Sequence, residues 1–133
     1  MHPSPSIRNS WPIVTGSDNC PTATCCSTAT PWCPGLSWSP RPNLGNLLDL
    51  PIPQRDGVLA DCKRVSDYLT GVLACPKVNV AWIGNLVPQL HVHLIGRRPD
   101  DSCWPKPVWG NLTQSRDYGA QEVDAIRAAL LDI

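Results

Sequence analysis

Val87-Pro88-Gln89-Leu90-His91-Val92-His93-Leu94-Ile95-Gly96 is the stretch on which the reading of this chain turns. Polar Gln89, His91 and His93 alternate with apolar Leu90, Val92 and Leu94. A period of two is that of a half-buried strand, whose successive side chains point to opposite faces. The pattern predicts a strand over residues 89–96, packed on one face and presenting an amide and two imidazoles on the other. Histidine titrates near neutral pH, so two imidazoles on one face are able to divide nucleophilic and acid roles. The alternation alone fits a structural pair, two legs of a metal site or a catalytic pair equally well.

Residues 77–83 read as a second strand and residues 84–88 as a turn; so short a connection implies an antiparallel hairpin. Between residues 54 and 74 the apolar Val58, Cys62, Val65, Leu69 and Val72 recur at steps of four, three, four and three, the spacing of one helix face. Pro53 stands at the start of that helix and Pro76 just beyond its end. Residues 97–110 form an irregular, tryptophan-bearing loop. A last helix is predicted over residues 120–131, with Val123, Ile126 and Leu130 on its packed side. Residues 46–133 thus read as an α+β domain: an antiparallel β-sheet with two helices.

The composition narrows the functions. A chain of 133 residues is long enough for one domain with a modest core. With a formal net charge of zero, it lacks the basic footprint that binds nucleic acid polymers. A small anionic ligand needs only a local cluster of donors. No apolar run approaches the roughly 20 residues that span a bilayer, and the first residues lack a charged-then-apolar signal pattern. No membrane partner is expected, and the expected compartment is the cytoplasm. Of seven cysteines, Cys20, Cys25, Cys26 and Cys33 cluster in unpatterned sequence, while Cys62, Cys75 and Cys103 are scattered and read as buried thiols. No Cys-x-x-Cys pair occurs, which argues against a zinc ribbon or a thioredoxin-like site.

Residues 1–45 are different in kind. Up to Pro40 only Arg8 and Asp18 carry charge, and Pro, Ser, Thr, Cys and Trp crowd together without period. Such a segment has little means of offsetting the entropy of ordering its backbone, and it reads as a disordered tail.

The run from Asn79 through Gly84, Asn85 and Gln89 to His91, His93 and Arg97 resembles the signature of the histidine-triad (HIT) superfamily of nucleotide hydrolases and transferases. There an Asn-bearing strand leads through a Gly-containing turn into a His-x-His-x-His strand with apolar x. Gln89 stands here for the first histidine of the triad. Trp104-Pro105-Lys106-Pro107-Val108-Trp109-Gly110 is similar to the tail of a bacterial HIT-like subgroup that also carries glutamine at that place.

The resemblance implies a HIT-like fold, a homodimer and a reaction that needs neither metal nor cofactor. Its substrate class is a nucleotide or dinucleoside polyphosphate. In the family the middle histidine attacks the α-phosphorus and forms a nucleotidyl-histidine that water hydrolyses. Carried over, His91 is the nucleophile, with His93 and Gln89 as its catalytic companions. Asn79, Gly84, Asn85, Arg97, Trp104 and Trp109 are the candidate substrate contacts, although both tryptophans, set among prolines in a loop, read first as packing residues. Asn85 stands where the family often has glutamine, and Leu86 where some members carry a hydroxyl, so two polar contacts are altered. Gln89 hydrogen-bonds but does not relay a proton. Two competing readings remain: a nucleotide-binding module weak or inactive in catalysis, and a His-x-His metal site.

The family also implies that residues 1–45 should hold a helix, strands and part of the base pocket. Back-translated with GC-rich codons and reread two nucleotides later, residues 31–40 can give Leu-Val-Pro-Trp-Ala-Glu-Leu-Val-Pro. This looks like the Pro-Trp…Leu-Val-Pro strand of the subgroup, and offers a second reading of the segment as translated out of frame.

Overall fold

The computed structural model describes residues 13–14, 23–24, 35–38, 45–86, 88, 90–112 and 119–131. Most of residues 1–45, and Gln89 itself, lie outside them. The elements in chain order are strands β1 (Ile13–Val14), β2 (Ala23–Thr24) and β3 (Gly35–Trp38), helix α1 (Ile52–Asp67), strands β4 (Lys77–Ala81) and β5 (Val92–Arg97), and helix α2 (Ala120–Leu131). The strands form one antiparallel sheet in the order β1-β2-β3-β5-β4. The α+β class, with two helices on an antiparallel sheet, is therefore as the sequence predicts.

Helix α1 begins at Ile52, after Pro51, with Pro53 in its first turn. Proline is tolerated there because the first amides of a helix lack intrahelical acceptors. Val58, Cys62 and Val65 are buried along its predicted face, and Leu69 follows them. Beyond Asp67 the chain makes one π-helical turn, Tyr68–Val72. The wider turn shifts the face by a residue, so Leu73 packs against the core while Val72, predicted to be buried, is 61% exposed. The helix stops at Ala74, whose φ of 52° is left-handed. Cys75 N–H then donates back to the Leu69 carbonyl at 2.9 Å, one residue wider than the bond of a Schellman end because the last turn is π-helical.

Strand β4 ends at Ala81, two residues short of the predicted Ile83. Strand β5 begins at Val92 and runs to Arg97, so His91 stands just before it rather than inside a strand starting at Gln89. The hairpin is antiparallel as expected, with Asn79 opposite Ile95 and Ala81 opposite His93. A positive φ of 61° at Gly84 turns the chain between the two strands.

The sheet separates two apolar clusters. On one side Leu90, Val92 and Leu94 meet Val58, Cys62, Val65 and Leu69 together with Val123 and Ile126 of α2. Glu122 Oε2 accepts the Gly119 N–H at 2.8 Å, half of a capping box that starts α2 where predicted. Arg64 donates to the Leu130 carbonyl at 3.1 Å and ties the two helices together. On the other side a smaller cluster joins Ile95 to Cys103 and Val108 of the tryptophan loop, with Trp109 and Leu112 against it. Cys62, Cys75 and Cys103 are buried thiols, as read from the sequence. Among the described residues no helix is long and apolar enough to cross a membrane.

Candidate active site

Alternation sorts the side chains at the start of β5. Leu90, Val92 and Leu94 are 2%, 1% and 0% exposed, whereas His91 and His93 are only half-buried on the opposite face. The two imidazoles meet edge to face, centroids 4.9 Å apart and planes at 86°. The Trp109 indole lies against His93 in a second edge contact at 5.9 Å. Burial, with a smaller contribution from the nearby His91, pushes the His93 pKa down from 6.5 to about 4. His93 is therefore neutral at pH 7, and one ring nitrogen donates while the other accepts.

Further along the same face lies a polar unit. Asn79 is opposite Ile95, and so stands diagonally between His93 and Arg97. Its Oδ1 accepts from Arg97 Nη1 at 2.8 Å. Arg97, at the end of the histidine strand, is 1% exposed. Its guanidinium grips Asp101 with two bonds, Nε to Oδ2 at 2.7 Å and Nη2 to Oδ1 at 3.1 Å. Asp101 also accepts the backbone N–H groups of Arg98 and Cys103. Burial alone would raise the Asp101 pKa; the Arg97 hydrogen bonds and these two amides outweigh it and hold the carboxyl below its ordinary range. The Trp104 ring lies 5.5 Å from the guanidinium carbon, a cation–π distance.

The structure thus brings His91, His93 and Trp109 into contact, and Asn79, Arg97 and Trp104 into a second group beside them. Gly84 and Asn85 lie in the turn before the strand, Asn85 exposed. Arg97, a candidate substrate contact from the sequence, has its guanidinium turned into the protein against Asp101 and Asn79. Asp101 sits in the turn that follows β5. Its role has no periodic signal, because the partner is reached by a turn folding back on the strand end. Among the described residues, no three of His, Cys, Asp and Glu gather as a metal site would require.

No family model matches the sequence, and no curated protein matches it. Solved structures do. A histidine triad protein from Bradyrhizobium japonicum is 33% identical, with a TM-score of 0.78 over 98% of this chain and 96% of its own. A histidine triad protein from Marinobacter aquaeolei is 27% identical, with a TM-score of 0.77 over 92% of this chain and 87% of its own. A third, from Sinorhizobium meliloti, is 26% identical, with a TM-score of 0.73 over 84% and 82%. An antiparallel sheet with a histidine-bearing strand and this likeness place the protein in one class: the chain belongs to the histidine triad family.

Proposed function

We propose that the chain is a HIT-type nucleotide hydrolase or transferase that cleaves a phosphoanhydride or phosphoramidate bond of a nucleoside phosphate, such as a dinucleoside polyphosphate. The observation that carries this reading is the pair of touching imidazoles on one sheet face, one of them neutral and shielded by an indole. A lone pair on His91 forms an N–P bond at the α-phosphorus as the bond to the leaving group breaks. His93, neutral, offers an N–H hydrogen bond to the leaving atom, which departs with the electron pair of the broken bond and takes its proton from solvent water. Water then attacks the phosphorus, the N–P bond breaks, and a nucleoside monophosphate is released with His91 restored. The Asn79 amide and backbone N–H groups of the turn stabilise the phosphoryl oxygens.

Replacing His91 by Ala should lower turnover of a diadenosine polyphosphate or an adenosine phosphoramidate by on the order of a thousandfold or more. Unchanged hydrolysis in that variant overturns the assignment. Glutamine at position 89 favours a second reading, a nucleotide-binding module with weak catalysis. AMP affinity without product release would select it.

Strand β4 is the sheet edge beyond β5, and Val80 on it, with Trp82 and Ile83 just past its end, are 50%, 44% and 43% exposed. An apolar edge of this kind supports pairing with a second copy; sedimentation as a monomer would overturn the homodimer. For residues 1–45 we favour the out-of-frame reading, because the following residues carry helix and strand periods and this segment, with only Arg8 and Asp18 charged up to Pro40, carries none. The nucleotide sequence of codons 1 to 45 tests it: stop codons in the shifted frame, or no strand pattern there, refute it.

A further inference from the structure

Arg97 and Asp101 form an ion pair that no step above uses, and they lie almost wholly inside the protein. Their burial is costly, since two charges leave water and regain it only through excellent geometry. The geometry here is a two-point fork, with both Asp101 oxygens engaged by the guanidinium. What remains to explain is the third contact, from Arg97 Nη1 to Asn79 Oδ1.

A guanidinium only donates. The atom of the Asn79 carboxamide that faces it must therefore be the oxygen, so the amide orientation is fixed. Its Nδ2 becomes the donor that Asn79 offers elsewhere, at a half-buried position diagonally next to His93. Asp101 extends the same control to the loop: through the N–H groups of Arg98 and Cys103 it sets the turn that leads to Trp109 and its contact with His93.

We infer that Arg97 and Asp101 are positioning residues that hold the Asn79 Nδ2 as a preoriented donor to a phosphoryl oxygen of the ligand beside His93. The inference rests on the proposed function of the site. Arg97 acts through Asn79 and meets no ligand atom itself. A lysine at position 97 keeps a charge for Asp101 but loses the planar fork, and so frees the carboxamide to turn.

The test is a double-mutant cycle on the full chain with R97K, N79A and the pair, read by calorimetric AMP binding, by kcat and KM on an adenosine phosphoramidate, and by thermal unfolding. R97K should weaken AMP binding and lower kcat/KM by about tenfold in the parent chain, the scale of one charge-assisted hydrogen bond. On the N79A background it should change neither, because the donor it orients is gone. Losses that multiply across the two backgrounds overturn the inference, whatever happens to the melting temperature. N79D is the second arm: its carboxylate still accepts from Arg97 and preserves the fold but has no Nδ2. Parent-like AMP binding by N79D overturns the inference as well. If the parent chain binds no AMP, both this inference and the proposed function fall. If H91A retains turnover while the cycle is non-additive, only the assignment of the nucleophile falls.

Discussion

The two faces of the sheet are held by different physics. The helix side is an apolar cluster in which Leu69 and Leu94 are wholly buried. Its stabilisation is non-directional and scales with area removed from water. The histidine side has a smaller apolar patch, and its order comes from the Arg97–Asp101 pair, the Asn79 amide and aromatic edge contacts. Packing by area tolerates exchange among shapes of similar volume; a polar unit fixes where particular atoms point. Placing the first behind the sheet and the second in front lets one strand, β5, carry both the apolar core and an ordered polar face.

The largest expected effect separates these two kinds of order. Truncating Arg97 to Ala leaves the Asp101 carboxylate buried without its cation and should cost about 3–5 kcal/mol in urea unfolding. Leu94→Ala on the opposite face should cost about 2–5 kcal/mol through lost burial and a cavity. The contrast lies in rescue. Leu94→Met should recover to within about 1.5 kcal/mol of the parent, whereas Arg97→Met should not recover, since volume is not what the position supplies. A well-folded Arg97→Met chain would erase the distinction between the faces.

A smaller effect is expected from pH. His93 binds its proton less readily when folded, about pH 4, than in the open chain at 6.5, so a proton is taken up on unfolding between those values. Its stabilisation is complete above pH 6.5 and is lost as pH falls from 6.5 towards 4. Asp101, held below its ordinary 3.8, continues the loss at more acid pH. His93→Gln should flatten the melting-temperature profile between pH 6.5 and 4 and leave the acid limb intact; an unchanged upper limb would mean that the histidine face does not carry this term. The smallest effect belongs to the helix side, where Ala74 holds a left-handed φ. Ala74→Gly should raise stability by about 1 kcal/mol without touching the site, as read by the urea midpoint.

Much of the domain was legible in the sequence because its elements repeat. Leu90, Val92 and Leu94 announced the packed face of a strand, and Val58, Cys62, Val65 and Leu69 that of a helix. Where a local irregularity broke the period, the reading slipped. The π-helical turn moved Val72 outwards, and the turn after Ala81 left Trp82 and Ile83 outside β4. The pair His91 and His93 was visible for the same reason as the strand, namely that residues two apart share a face.

What the sequence determined by itself is the class of fold, the histidine strand and the family signature around it, since each is written in short-range spacing and residue type. Tertiary structure alone decided the direction in which Arg97 points, the partnership of Asp101, the fixed orientation of the Asn79 amide and the contact of Trp109 with His93. These depend on a loop folding back over one face of the sheet. A contact made by such a return has no period along the chain, and the cost of burying a charge is met only when its partners arrive from elsewhere.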